Sequence, residues 1–432
     1  MMAVSSERMA AADAQLLWLS EKVPNDQFLV FVFDGAPDVP AALDGVRRNA
    51  RVCGELRLRV CDGSRWRYPR WVRGEVRDEQ FVVHREVPEA IGDWRCCLVS
   101  VALLDQLDAT EMPWRVHVFP PSVVVVQMSH AVGDGTRSAA LAAALLGRRA
   151  PIPAVTPNPG NLLWRGISAA RAHRTMVRDT ETGSLEPPPG PRPALSVNAR
   201  GTGTPVLRTL VVDRARLRRP TVTVAALTAV GEALGGYLAA RGEDVSLLGA
   251  EVPMAGSPTA QARNNFRNVN IGLHPELDRE RRAARIAWEL RVQRRRSEHP
   301  ATQASVAAFA SVPAPLLRWG MRRFDPAVRP STVSAHTVVS SVNRGRADLT
   351  FGGHRVVLTG GYPALSPMMG LTHGVHGIGE AVAVSVNADP AILDVDDYVD
   401  RLAHALGCPP APKCRFGRET ASQSRQNVHL DG

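Results

Sequence analysis

The chain has 432 residues, 44% of them hydrophobic and 22% charged, which suits roughly two soluble globular domains rather than one small core. Its formal net charge is +10, yet all but two of its 52 basic residues are arginine, lysine occurring only at Lys22 and Lys413. The arginines are dispersed, abundant arginine and alanine together suggest a GC-rich coding bias, and no stretch interleaves aromatic and basic residues as a single-strand binder does, so nucleic acid is not the expected partner.

Residues 7–20 read as a short amphipathic helix, and Phe28 to Phe33 as a buried, β-rich strand. Val116 to Phe119 and Val123 to Met128 read as two strands joined through Pro120, Pro121 and Ser122. Thr136 to Leu146, rich in alanine and leucine, reads as a helix. The first half is therefore mixed α and β. Residues 160–180 form a candidate helix leading into a break. Residues 181–205, with Pro187, Pro188 and Pro189 in succession, read as an extended linker.

The second half restarts with a strand at Val206 to Val212 and a helix at Val222 to Ala240. Ser246 to Met254 reads as a strand and Asp278 to Arg296 as a long basic helix. Val333 to Val342, Arg355 to Leu358 and Ala381 to Asn387 read as strands, and Asp394 to Leu406 as a closing helix. Domains are expected at 1–180 and 206–408, with 409–432 a polar, disordered tail.

The opening segment lacks a basic region followed by an apolar stretch, so no signal peptide is expected. No apolar run approaches the roughly 18 residues that cross a bilayer. The six cysteines, Cys53, Cys61, Cys96, Cys97, Cys408 and Cys414, form no C-x-x-C pair and suit reduced thiols in a cytoplasmic protein. The run from Arg291 to Arg296 reads as a solvated helical face, with an anion-docking surface as the sharper alternative. Trp18, Trp66, Trp71 and Trp114 are expected in the core.

The chemistry concentrates at Ser129 to Gly135. Four consecutive valines precede it, too apolar for an exposed strand, and His130 stands at the strand's C-terminal end. Histidine is the natural general base near neutral pH. Gly133-Asp134-Gly135 then turns the chain into a helix. Asp134 can orient the imidazole, fix the loop through an arginine, or cap the helix. His373 and His376 sit in what reads as a glycine-rich loop, better suited to lining a channel than to holding a metal. Gly374, Gly377 and Gly379 make no dinucleotide fingerprint, and no G-x-S-x-G elbow is present.

Several blocks in series resemble the bacterial wax ester synthase/diacylglycerol acyltransferase family, within the CoA-dependent acyltransferase and condensation-domain superfamily. They are Asp13-Ala14 through Leu17-Trp18-Leu19, Val83-His84-Arg85 to Pro88, and Leu107-Asp108 with Pro113-Trp114-Arg115-Val116-His117. Ser129-His130 to Asp134-Gly135 resembles the family's H-H-x-x-x-D-G motif. Pro193 to Asn198, Asn264-Asn265-Phe266, Ser340 to Gly345, and His376-Gly377 through Asn387-Ala388-Asp389 continue the series to the C-terminal region. Two positions depart: Ser129 replaces the first motif histidine, and Ser341 stands where the family's S-N-V-x-G block has asparagine.

The resemblance implies a mixed α/β fold of two chloramphenicol-acetyltransferase-like domains with a channel between them. It implies transfer of a fatty acyl group from acyl-CoA to a long-chain alcohol or diacylglycerol, His130 taking the hydroxyl proton, with no cofactor and no covalent acyl-enzyme. Ser129, Asp134 and Gly135 would support the motif; Asn265, Ser341 and His376 would line the channel. Partners would be acyl-CoA, a hydroxyl-bearing lipid, and a peripheral membrane or lipid-inclusion surface. Two other readings share the fold: acylation of a polyketide, glycolipid or other secondary metabolite, including from a carrier protein, and a non-catalytic lipid-binding paralogue.

Overall fold

The computed structural model describes residues 6–84, 93–201, 203–217, 220–256 and 260–409. Arg85, Pro88, Cys414 and nearly all of the expected tail lie outside the described residues.

Two six-stranded sheets carry the molecule. The first-half strands are β1 (Gln27–Phe33), β2 (Phe81–Val83), β3 (Trp114–Phe119) and β4 (Val123–Met128). The second half supplies β5 (Val206–Asp213), β6 (Gly249–Ala255), β7 (Phe266–Gly272), β8 (Thr337–Asn343), β9 (Thr350–Phe351), β10 (His354–Tyr362), β11 (Leu371–Ile378) and β12 (Ala381–Ala388). The N-terminal sheet runs β9-β10-β1-β4-β3-β2 and the C-terminal sheet β7-β6-β8-β11-β12-β5.

The valine run of β4 is buried on both faces because the strand alternates. Val124 and Val126 enter the main N-terminal core. Val123 and Val125 enter a separate cluster that includes Leu207 and Tyr362 of the second half. One strand thus serves both the domain core and the seam between halves.

The helices are α1 (Ala11–Ser20), α2 (Val39–Val52), α3 (Cys97–Ala102), α4 (Gly135–Leu145), α5 (Leu162–Glu181), α6 (Val222–Ala239), α7 (Arg279–Glu298), α8 (Pro300–Phe309), α9 (Ala314–Arg323) and α10 (Val395–Leu406). α6 corrects one expectation: it is 18 residues long and apolar enough to span a bilayer. It is apolar nearly all round because it is a core helix, its Leu227, Val230, Leu234 and Leu238 packing with α10 and the C-terminal sheet. α10 ends at Gly407, whose φ of +67° is the left-handed turn that closes a helix and that glycine adopts without strain.

The division in space differs from the division along the chain. β10 leaves the second half and pairs antiparallel with β1, Val356 opposite Phe33 and Tyr362 opposite Phe28. It thereby covers an edge that β1 would otherwise expose. α9 likewise lies against the first half, with Ala314 buried in its core. The segment expected as a linker is partly packed: Asn198 is buried and its amide donates to the Met368 and Ala335 carbonyls at 2.7 and 3.2 Å. Trp18, Trp71 and Trp114 are core residues as expected, but Trp66 is not, being 78% exposed. Cys53, Cys61 and Cys408 carry free thiols.

Candidate active site

β4 delivers the chain to Ser129, which is buried and whose N–H donates to the Pro113 carbonyl at 2.9 Å. A tight turn over His130–Val132 follows, started by Ser129. Gly133 has no room for a side chain, since a Cβ there would lie 2.5 Å from Cδ of the buried Arg137. Gly135 opens α4 and faces the second half, where its Cβ would come within 3.2 Å of Val342. The motif therefore sits at the junction of the two halves.

Asp134 does not touch the imidazole. One carboxylate oxygen accepts the Thr136 and Arg137 N–H groups at 3.0 and 2.9 Å, capping α4. The other accepts the Asn265 N–H at 2.9 Å. Of the roles left open by the sequence, Asp134 takes helix capping, and it adds an anchor for the loop 260–265.

That loop brings the residue the sequence reading passed over. Asn264, not Asn265, meets His130: its Oδ1 lies 2.9 Å from Nδ1. The amide nitrogen of Asn264 donates to the Asp13 carboxylate at 3.0 Å and to the His130 carbonyl at 2.9 Å. Both partners only accept, so Oδ1 must face the ring, and Nδ1 must carry the proton. Nε2 is then the basic lone pair, with no hydrogen-bond partner among the described residues. Phe266 packs beside the imidazole, ring centroids 5.8 Å apart.

Asp13 is the buried base of this chain. Besides the Asn264 amide it accepts the N–H groups of Arg263 and Asn264 at 3.0 and 2.8 Å. Burial pushes its carboxyl up despite those bonds. Beside it, Glu55 pairs with both Arg263 and Arg137, two arginines only 4% exposed. Burial raises the Glu55 carboxyl, but the two guanidinium groups outweigh it and hold it below the ordinary range. Arg263 also stacks over Trp71 at 4.6 Å. This buried ion network clamps the loop to the first half. One signal for Asp13 was readable: an acid one helical turn before Leu17, on the apolar face of α1.

Burial lowers the His130 pKa below its ordinary 6.5, against the opposing pull of Asn264 and the Asp134 charge. The neutral, basic form is therefore present at neutral pH, and activity that needs it is lost only as pH falls through this lowered value. The rate under limiting substrate is expected to be flat above pH ~7 and to titrate with a midpoint below ~6.5, the ordinary histidine value. A pH–kcat/KM profile with a midpoint above that value would contradict the assignment.

The remaining candidates separate. His373 and His376 lie on β11, a strand rather than a loop, and a spacing of three places them on opposite faces. His373 faces the C-terminal core, bonded to Tyr398 and Thr337 at 2.5 and 3.0 Å. His376 pairs with Val342 and faces the seam beside the buried Arg344. Burial and the Arg344 charge hold His376 well below its usual range, and its Nδ1 has no hydrogen-bond partner among the described residues. Ser341 accepts from the Thr223 hydroxyl at 2.9 Å, on the α6 side and away from the motif. A cavity of about 670 Å³ lies between α6 and α7, and none of its lining residues belongs to the His130 site.

Residues 264–407 match the model of the WS/DGAT C-terminal domain. No curated protein matches the chain in sequence. Among solved structures, the wax ester synthase/diacylglycerol acyltransferase from Marinobacter aquaeolei VT8 is similar with a TM-score of 0.60 at 18% identity, over 93% of this chain and 98% of that one. A variant of the starter condensation domain of rhizomide synthetase, in complex with C8-CoA and Leu-SNAC, is similar with a TM-score of 0.56 at 14% identity, over 93% of each chain. The epimerization domain from the third module of tyrocidine synthetase B follows with a TM-score of 0.51 at 12% identity, over 94% of this chain and 99% of that one. These likenesses establish the fold.

Proposed function

We propose that this chain, whose residues 264–407 match the model of the WS/DGAT C-terminal domain, is an acyl-CoA-dependent O-acyltransferase with His130 as general base. The acceptor is the hydroxyl of a long-chain alcohol or a diacylglycerol. The observation that carries this reading is the locked imidazole, Nδ1 held by Asn264 and Nε2 left open at the junction of the halves. The C8-CoA bound to the related condensation domain supports an acyl-CoA donor.

In the transfer, Nε2 takes the hydroxyl proton as the oxygen attacks the thioester carbonyl carbon. The tetrahedral oxyanion collapses, the C–S bond breaks, and the CoA thiolate takes the proton back from the imidazolium. The electrons and the proton balance without a redox partner or a covalent enzyme intermediate. The setting is a cytoplasmic protein meeting a membrane or lipid-inclusion surface.

Leu-SNAC, an aminoacyl thioester in the same neighbour, favours one alternative: an acyl group or acceptor presented on a carrier. Purified protein with labelled palmitoyl-CoA, screened against long-chain alcohols, diacylglycerol and secondary-metabolite alcohols by thin-layer chromatography, decides between them. Wax ester or triacylglycerol is the expected product. Turnover confined to acyl-carrier donors moves the assignment to the alternative, and lipid binding without any transfer removes it.

A further inference from the structure

The cavity between α6 and α7 has a volume of about 670 Å³, within the range of sites that take one small molecule. It exists because the two helices meet there with short side chains. α7 is seated through its buried Arg282, Ile286 and Val292. Ala283, Ala284 and Ala287 lie beside that row and line the cavity, with Ala225 and Thr228 of α6 across from them. Alanine is too short to close a gap between helices that a leucine would fill. The Thr228 hydroxyl is spent on the Val224 carbonyl of its own helix, at 2.8 Å. The floor is therefore apolar.

The two ends differ in charge. The helices run antiparallel, since Glu232 meets Arg279 at 3.7 Å while the earlier Thr228 carbonyl accepts from the later Arg282 at 3.5 Å. The start of α6, with Pro220 and Arg216 before it, therefore lies toward Arg291. Arg216 donates to the Gly407 carbonyl, a partner without charge. Arg291 has no hydrogen-bond or ion-pair partner among the described residues. At the far end Glu280 is negative and Arg279 is matched by Glu232. One end is doubly cationic and the other is balanced.

The stretch from Arg279 to Arg291 spans about 18 Å of helix axis at 1.5 Å per residue, a length that suits an extended long-chain acyl group. The lining residues include no aromatic ring on which a base could stack. An alkyl chain with one anionic end fits on all three counts. Its methylenes leave water against the alanines, and its carboxylate gains charge-assisted contact with guanidinium. The cavity is also remote from the motif. Val339 of β8 packs with α6 in the C-terminal core, whereas Val342, of opposite parity on the same strand, meets Gly135. The cavity and His130 thus lie on opposite sides of the C-terminal sheet.

We propose that this cavity binds one long-chain fatty acid, its alkyl chain along the alanines of α6 and α7 and its carboxylate toward Arg216 and Arg291. This site is separate from the one that holds His130, and it does not depend on the acyltransferase reading.

The test uses full-length protein stripped of lipid, titrated with palmitic acid by calorimetry and photolysed with palmitic acid that carries a terminal diazirine. Peptide mapping finds the label on α6 and α7 at the cavity, in the parent and in His130→Ala alike. The double variant Arg216→Glu, Arg291→Glu, both exposed positions, lowers labelling affinity there about tenfold or more. Ala287→Phe, which fills the cavity, does the same. Arg295→Glu, on the same helix outside the cavity, binds as the parent. Hexadecanol, with the same chain and no charge, competes about tenfold more weakly or worse. Label confined to the seam between the halves overturns the proposal, as does uptake only above the critical micelle concentration. So does label on α6 and α7 that survives the arginine double variant, or hexadecanol that competes as well as palmitate. Protein that is labelled at the cavity yet acylates no acceptor keeps this site and loses the acyltransferase reading; protein that acylates an acceptor with no label at the cavity does the reverse.

Discussion

Replacing His130 with alanine is expected to lower the rate of acyl transfer by about 10²–10⁴-fold, the range a positioned general base contributes. The reason lies in the direction of its two nitrogens. Nδ1 is committed to Asn264, so only Nε2 remains to receive a proton, and no other described side chain on this turn can take its place. Asp134 is spent on three backbone N–H groups. Ser129 is buried at the strand end. The fold should survive, because the turn is held by backbone bonds from Ser129 and by the Asp134 cap rather than by the ring. The measurement is turnover with palmitoyl-CoA beside a thermal melt. A variant that melts like the parent and turns over within a few-fold of it would remove His130 from the mechanism.

The strand that leads to this histidine was legible because β-branched runs admit few alternatives. Val123 to Met128 and Phe28 to Phe33 have no polar face to turn outward, and the structure buries every residue of both except the half-buried Phe28. The helices α4, α7 and α10 begin at acidic caps, Asp134, Asp278 and Asp394, whose side chains accept first-turn N–H groups. β11 was hidden by its glycines. They read as loop, yet Gly374 lies where a Cβ would come within 2.1 Å of the Gly361 carbonyl oxygen on β10. Two strands of different sheets approach so closely there that glycine is required inside a strand. The crossing of β10 was equally invisible, because its local pattern suits either sheet. The choice between Asn264 and Asn265 could not be made from adjacent, identical residues. It is decided by Asp13, a partner about 250 residues away in the chain.

That partner supports the second large effect. Asp13→Ala is expected to cost roughly 3–5 kcal/mol of stability, as for a buried charged hub whose partners lose their acceptor. Three donors would be stranded at once: the N–H groups of Arg263 and Asn264 and the Asn264 side-chain amide. The loop 260–265 would loosen from the first half, although Glu55 still holds Arg263. Catalysis should suffer separately from stability. Once the Asn264 amide is free to turn, its oxygen no longer fixes the proton on Nδ1, and Nε2 is basic only part of the time. Losing that acceptor also removes a bond that raises the His130 pKa, so the pH midpoint moves further down while kcat falls more than KM rises. Asp13→Asn keeps one accepting oxygen and is expected to fall between parent and alanine in both melting temperature and kcat. A folded Asp13→Ala protein with parental kcat and an unmoved pH profile would confine Asp13 to stability and break the link from α1 to the imidazole.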